Sequence, residues 1–139
     1  KAGIGRALLV LEQPADAERH YPRAIELRPD YVEAHNNLGS LLRQTGRPAE
    51  AKRHLFSAIL ADPTHADARN NLGMTLRDLG RNTDAIAQFQ RALRLQPEMA
   101  AAHLNLALSF SLAGRGAEAS IHLREARRLN PKIPDLRLD

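Results

Sequence analysis

The sequence predicts an all-α fold, an α-solenoid of antiparallel helix pairs, and three observations carry that expectation. Landmarks recur on a 34-residue period: Pro29, Pro63, Pro97 and Pro131; Gly46, Gly80 and Gly114; Ala17, Ala51, Ala85 and Ala119; Ala24, Ala58, Ala92 and Ala126. Within each period, apolar residues fall at i, i+4, i+7 and i+8, the spacing of one buried helical stripe. Aromatic residues make up only 4% of the chain, and the apolar content is mostly Ala and Leu, which lose little freedom in a helix.

On this ruler Lys1 lies inside the first helix of an earlier unit, marked by Ile4, Gly5, Leu8, Ala17, Tyr21, Ala24 and Pro29. Residues 1–29 are thus expected to be a partial repeat, in a chain that is a fragment or a processed or partly ordered protein. Pro22 falls within its second helix, where a missing N–H predicts a kink or break near residues 18–21. The full repeats are residues 30–63, 64–97 and 98–131, with 132–139 as a tail, all within one domain, 1–139.

In the first full repeat a helix starting near Val32 carries Ala34, Leu38, Leu41 and Leu42 on one face. Gly46 stands where a left-handed cap should stop it, and Pro48 suits the first turn of the next helix. That second helix buries Ala51, Leu55, Ala58 and Ile59, and Pro63 closes it by disfavouring helical geometry in the residue before. The next repeat reuses the parts as Gly80, Phe89, Ala92 and Pro97, and the last as Gly114, Leu123, Ala126 and Pro131. Gly39, Gly73 and Ala107, facing Ala51, Ala85 and Ala119, are the small residues expected where two helices cross closely. At the C-terminus Pro131, Pro134 and the short run to Asp139 offer no long polar capping helix. Solenoid ends need a solvating cap, so further repeats or end-to-end homo-oligomers of this chain are expected.

The charge of +4 rests on Arg, which supplies 17 of 20 basic residues, but 16 acidic residues share the same segments. No block of five like charges occurs, so solvated helix faces explain the charge better than nucleic-acid binding. No apolar run reaches the ~18–20 residues of a membrane span, so membrane insertion is not expected. Without cysteine, disulfides and thiolate metal sites are excluded. The high Arg and Ala content hints at a bacterial source.

The period and its landmarks resemble the tetratricopeptide repeat family. Leu38-Gly39-x2-Leu42, Ala51-x3-Leu55 and Pro63 follow that family's order, as do Leu72-Gly73-x2-Leu76, Ala85-x3-Phe89 and Pro97. Leu106-Ala107-x2-Phe110, Ala119-x3-Leu123 and Pro131 differ by Ala for Gly, and the leading Trp is replaced throughout by His35, Arg69 and His103. The resemblance implies a right-handed superhelix whose first helices line a concave groove. Carried onto this sequence, the groove residues are Glu33, Asn36, Asn37, Ser40, Arg43 and Gln44 from one repeat. Asp67, Asn70, Asn71, Met74, Arg77 and Asp78 follow from the next, and Ala101, Leu104, Asn105, Leu108 and Leu112 from the third. The groove should therefore run from polar to apolar and orient a bound segment.

Asn37, Asn71 and Asn105 make a ladder with one amide per repeat. Each amide carries a donor and an acceptor, suited to gripping a peptide backbone; bonding to neighbouring helices is the equally weighted alternative. The ladder also resembles the repeat arm of O-linked N-acetylglucosamine transferases, though no transferase domain is present. The places where chaperone-binding relatives carry a carboxylate clamp hold Asn36, Asn71 and Ala101 among others, which argues against that type.

No catalytic motif, cofactor-binding loop or metal-binding motif stands out. His20, His54 and His122 share a register, but residues in separate repeats lie about 10 Å or more apart and cannot converge on one ion. They read as interhelix or surface histidines. The expected function is a non-enzymatic protein-interaction scaffold that binds an extended peptide or a partner helix. The substrate-recruiting arm of a larger enzyme and a self-assembling array are the alternatives.

Overall fold

A computed structural model describes residues 31–138, and the kink expected near residues 18–21 lies outside them. The described residues form α1 (Val32–Gln44), α2 (Pro48–Ala61), α3 (Ala66–Asp78), α4 (Asn82–Leu95), α5 (Ala100–Leu112) and α6 (Gly116–Leu129). The helices pack as hairpins, α1 with α2, α3 with α4 and α5 with α6, and each hairpin packs on the next.

The expected punctuation is present. Gly46, Gly80 and Gly114 have φ of 80°, 79° and 76°, a region open to glycine without a Cβ clash. At each, the following Arg closes a six-to-one bond back to the helix, Arg47 N to Leu42 O, Arg81 N to Leu76 O and Arg115 N to Phe110 O, all 2.8 Å. Those arginines are also the N-caps of the second helices, whose first turns carry Glu50, Asp84 and Glu118. Each acid pairs with its Arg and complements the positive end of the helix dipole. The residues before Pro63, Pro97 and Pro131 (Asp62, Gln96 and Asn130) are extended, with φ between −144° and −137°.

The predicted stripes are the core. Leu38, Leu41 and Leu42 of α1 and Ala51, Leu55 and Ala58 of α2 are all 2% exposed or less. Close crossing is the reason for the small residues. A Cβ on Gly73 would stand 2.5 Å from a ring carbon of Phe89, and one on Gly39 would stand 2.6 Å from Leu55 Cγ. In the third hairpin Ala107 and Ala119 are fully buried, so a methyl fits there opposite Leu123.

The direction of curvature follows from which helices touch across repeats. The first helices contact one another, α1 with α3 and α3 with α5, whereas α2 does not reach α4 and α4 does not reach α6. A stack whose first helices are the closer set bends toward them. Their outward faces therefore form the inner wall, and the second helices form the outer one.

Candidate functional site: the inner wall of the hairpin stack

The inner wall is built from α1, α3 and α5, and polar side chains tie its rungs together. Asn71 Nδ2 donates to Asn36 Oδ1 at 2.9 Å, and Asn105 Nδ2 donates to Asn70 Oδ1 at 3.2 Å. Asn36, Asn70 and Asn105 are buried. Arg77 grips the next repeat three ways, donating to Asn105 O at 3.0 Å, Asn105 Oδ1 at 2.9 Å and Ser109 Oγ at 3.2 Å. Its guanidinium also lies 5.5 Å from the centre of the Phe89 ring, a cation–π distance. Burial pushes the Arg77 pKa down, Asp78 opposes that shift and Arg43 adds to it. Arg43, one period earlier, instead pairs with Asp78 at 2.9 Å on a half-exposed surface.

The Asn ladder thus corrects the gripping expectation at two of its rungs. Both hydrogen-bonding ends of Asn105 are spent inside the array, on Asn70 and Arg77, and Asn71 spends its NH2 on Asn36. The alternative role, bonding between neighbouring helices, is the one these two amides perform. Asn37 differs: its Nδ2 is buried with no hydrogen-bond partner. The pattern supplies the reason. Asn71 and Asn105 each bond the Asn 35 residues before them, but the residue 35 before Asn37 is Ala2, which has no side-chain acceptor.

The remaining inner-wall residues are the chemistry a partner can meet. Ser40 and Met74 are half-buried and Gln44 is exposed, with Gln44 Nε2 donating weakly to Ser40 Oγ at 3.4 Å. On α5, Leu104 and Leu108 are half-buried and Leu112 is 67% exposed. No charged residue occurs in α5, whereas α1 carries Glu33 and Arg43, and α3 carries Asp67, Arg69, Arg77 and Asp78. Charge on the inner wall therefore falls away toward the third repeat.

A second polar set was not foreseen. The vacant Trp position is filled in each hairpin by a polar residue that reaches its partner 19 residues later on the second helix. His35 Nδ1 meets His54 Nδ1 at 3.4 Å, Arg69 donates to Gln88 Oε1 at 3.3 Å, and His103 Nδ1 meets His122 Nδ1 at 3.1 Å. His54 and His122 are thus interhelix histidines, and His20 lies outside the described residues. Burial, reinforced by the facing His35 and His103, pushes the pKa of His54 and His122 down; Glu50 acts against this at His54, and Glu118 and Glu125 at His122. The equal spacing of 35/54, 69/88 and 103/122 was the available signal. Among the described residues no three metal-ligating side chains cluster.

An inner wall of repeated helical faces, stitched by polar side chains and ending in an apolar patch, defines a helical-hairpin repeat scaffold. The tetratricopeptide repeat family model matches residues 3–66, 45–86 and 70–134, and the chain belongs to that family. A crystal structure of MamA is similar, with 26% identity over 92% of this chain and 75% of that one and a TM-score of 0.83. A second MamA structure, labelled AMB-1 C2221, is 29% identical over 91% and 75% of the two chains, with a TM-score of 0.77. PilF of Pseudomonas aeruginosa shares the fold at a TM-score of 0.85, with 24% identity over 96% of this chain and 61% of that one. No curated protein matches the sequence. The chain is an all-α tetratricopeptide solenoid and a protein–protein interaction scaffold. None of these likenesses speaks to the glycosyltransferase arm.

Proposed function

We propose that the inner wall binds an extended peptide or a partner's helix and holds it in one direction, its apolar end against α5. The observation that carries this reading is Leu112, 67% exposed on an inner-wall helix that has no charged residue. Leu104 and Leu108 continue the same face, and i, i+4, i+8 spacing puts the three in one file. An apolar residue of the partner covering them gains about 25 cal/mol for each Å² removed from water. At the other end Ser40, Gln44 and the Arg43–Asp78 pair supply polar contacts. Asn71 and Asn105 support the wall from behind rather than gripping the guest.

In this reading the chain acts by binding alone, without catalysis or cofactor, and residues 1–139 form one domain of three full repeats and a partial one. The partner is protein rather than nucleic acid, since Arg43, Arg47, Arg81, Arg115, Arg127 and Arg128 each already face a carboxylate. Among the described residues no helix is long and apolar enough to cross a membrane. End-to-end association of copies would leave the inner wall open and is compatible with binding.

The test is a displayed peptide library selected on the wild type and on a Leu108→Asp/Leu112→Asp variant. Selected peptides should carry an apolar cluster at one end and lose at least tenfold in affinity for the variant, with helicity unchanged. Peptides that bind both proteins equally would overturn the reading.

A further inference from the structure

We propose that His103 and His122 form an open two-imidazole site for a borderline transition-metal ion, with Cu2+ the preferred occupant. The argument starts from hydrogen positions. His103 Nε2 lies 2.9 Å from the Pro97 carbonyl, which can only accept, so Nε2 carries the hydrogen and Nδ1 presents a lone pair. A ring N–H held by a backbone carbonyl, with the other nitrogen free, is the arrangement that fixes metal-ligating histidines. That free nitrogen faces His122 Nδ1 at 3.1 Å.

The spacing suits an ion. Two nitrogens 3.1 Å apart, each about 2.05 Å from one ion, subtend about 98° there, between the square-planar and tetrahedral angles. The rings are 5.4 Å apart and inclined by 27°, so neither blocks the other's nitrogen. Without metal, His122 Nδ1–H donates to His103. With metal, that hydrogen moves to His122 Nε2 and both Nδ1 atoms become ligands, with no net proton released from the neutral pair.

Access and charge complete the case. His103, His122 and Pro97 line a shallow hollow of about 310 Å3 that opens to solvent, leaving room for water on the remaining coordination positions. Arg94 at the rim disfavours a cation there, whereas Glu118 and Glu125 act on His122 in the opposite sense. The first repeat repeats the motif with its nitrogens 3.4 Å apart, but His35 is only 5% exposed, which leaves the third repeat as the accessible copy. Imidazole ligands and the Irving–Williams order put Cu2+ above Zn2+.

The middle repeat supplies the control. Its Arg69–Gln88 pair does the same interhelix job without an imidazole, so His103→Arg/His122→Gln copies a pair this fold already accepts. All measurements use a His54→Gln background, which removes the first-repeat pair. CuCl2 should raise Tm progressively with concentration, EDTA should reverse the rise, and ZnCl2 should give a smaller one. The Cu2+ electron paramagnetic resonance spectrum should show two coordinating nitrogens. The double variant should keep its helicity and lose both signals; if it unfolds, His122→Gln alone should lose them. No rise in Tm with CuCl2, or a rise that survives loss of His122, would overturn the proposal.

Discussion

Arg43 and Arg77 occupy the same register in successive repeats, yet replacing each with Ala should have very different consequences. Arg77 makes three hydrogen bonds into the next hairpin, two of them to side chains that are 8% (Asn105) and 0% (Ser109) exposed. Hydrogen bonds from a charged donor contribute about 1.5–3 kcal/mol, and an orphaned buried acceptor costs about 1–3 kcal/mol. Ser109 can turn its hydroxyl to a backbone carbonyl and water can reach part of the space left behind, so Arg77→Ala should cost about 2 kcal/mol. Arg43 makes one ion pair at a half-exposed surface, and Arg43→Ala should cost less than about 1 kcal/mol. Because repeats contact only their neighbours, the Arg77 loss falls on the junction between the second and third hairpins. Urea unfolding would give the two free energies, and hydrogen exchange would locate the weakness in α5 and α6 rather than α1 and α2. Equal costs for the two variants, or uniform loss of protection, would refute the reasoning.

The crossing glycines should also separate. Gly73→Ala gains about 1 kcal/mol of helix propensity but drives a methyl into the fully buried Phe89 ring, so a net loss of about 1 kcal/mol is expected by thermal or urea unfolding. Gly39→Ala meets Leu55, the residue type that faces Ala107 as Leu123 in the third repeat, and should cost less. For pH, His54 and His122 are depressed from 6.5 in the folded state, so below pH 6.5 the unfolded chain takes up protons that the native chain refuses. Their contribution is complete above pH 6.5 and is lost as pH falls through the folded values; His54→Gln/His122→Gln should flatten that part of a stability–pH curve. Giving Asn37 an acceptor should help: Ala2→Asn supplies the register partner that Asn36 and Asn70 supply elsewhere, and a Tm rise of about 2–4 °C is expected.

The helices and their ends were legible because the reasons for them are local. A glycine that must take positive φ, a proline that forbids the preceding helical residue and an apolar stripe of helical period each act within one or two turns. The crossing residues were legible too, since Gly39 and Gly73 had no local reason to be small. What the sequence did not disclose was the spending of polar side chains across repeats. Asn105 reads the same as Asn37 in sequence, and only the placement of Arg77 and Asn70 around it shows that both its ends are taken. The His35–His54 and His103–His122 contacts were missed for a related reason. Histidines were compared between repeats at 34-residue steps, whereas their partners lie 19 residues away within a hairpin.

The central claim is that the first helices form one inner wall that reads a guest chain by direction. The most direct measurement uses a peptide selected on the wild type, with a nitroxide at its apolar end, and amide relaxation in the bound protein. Strong broadening should centre on Leu108 and Leu112 of α5 and fade through α3 to α1, and moving the label to the polar end should reverse the gradient. Broadening centred on α2, α4 and α6, or unaffected by moving the label, would contradict it.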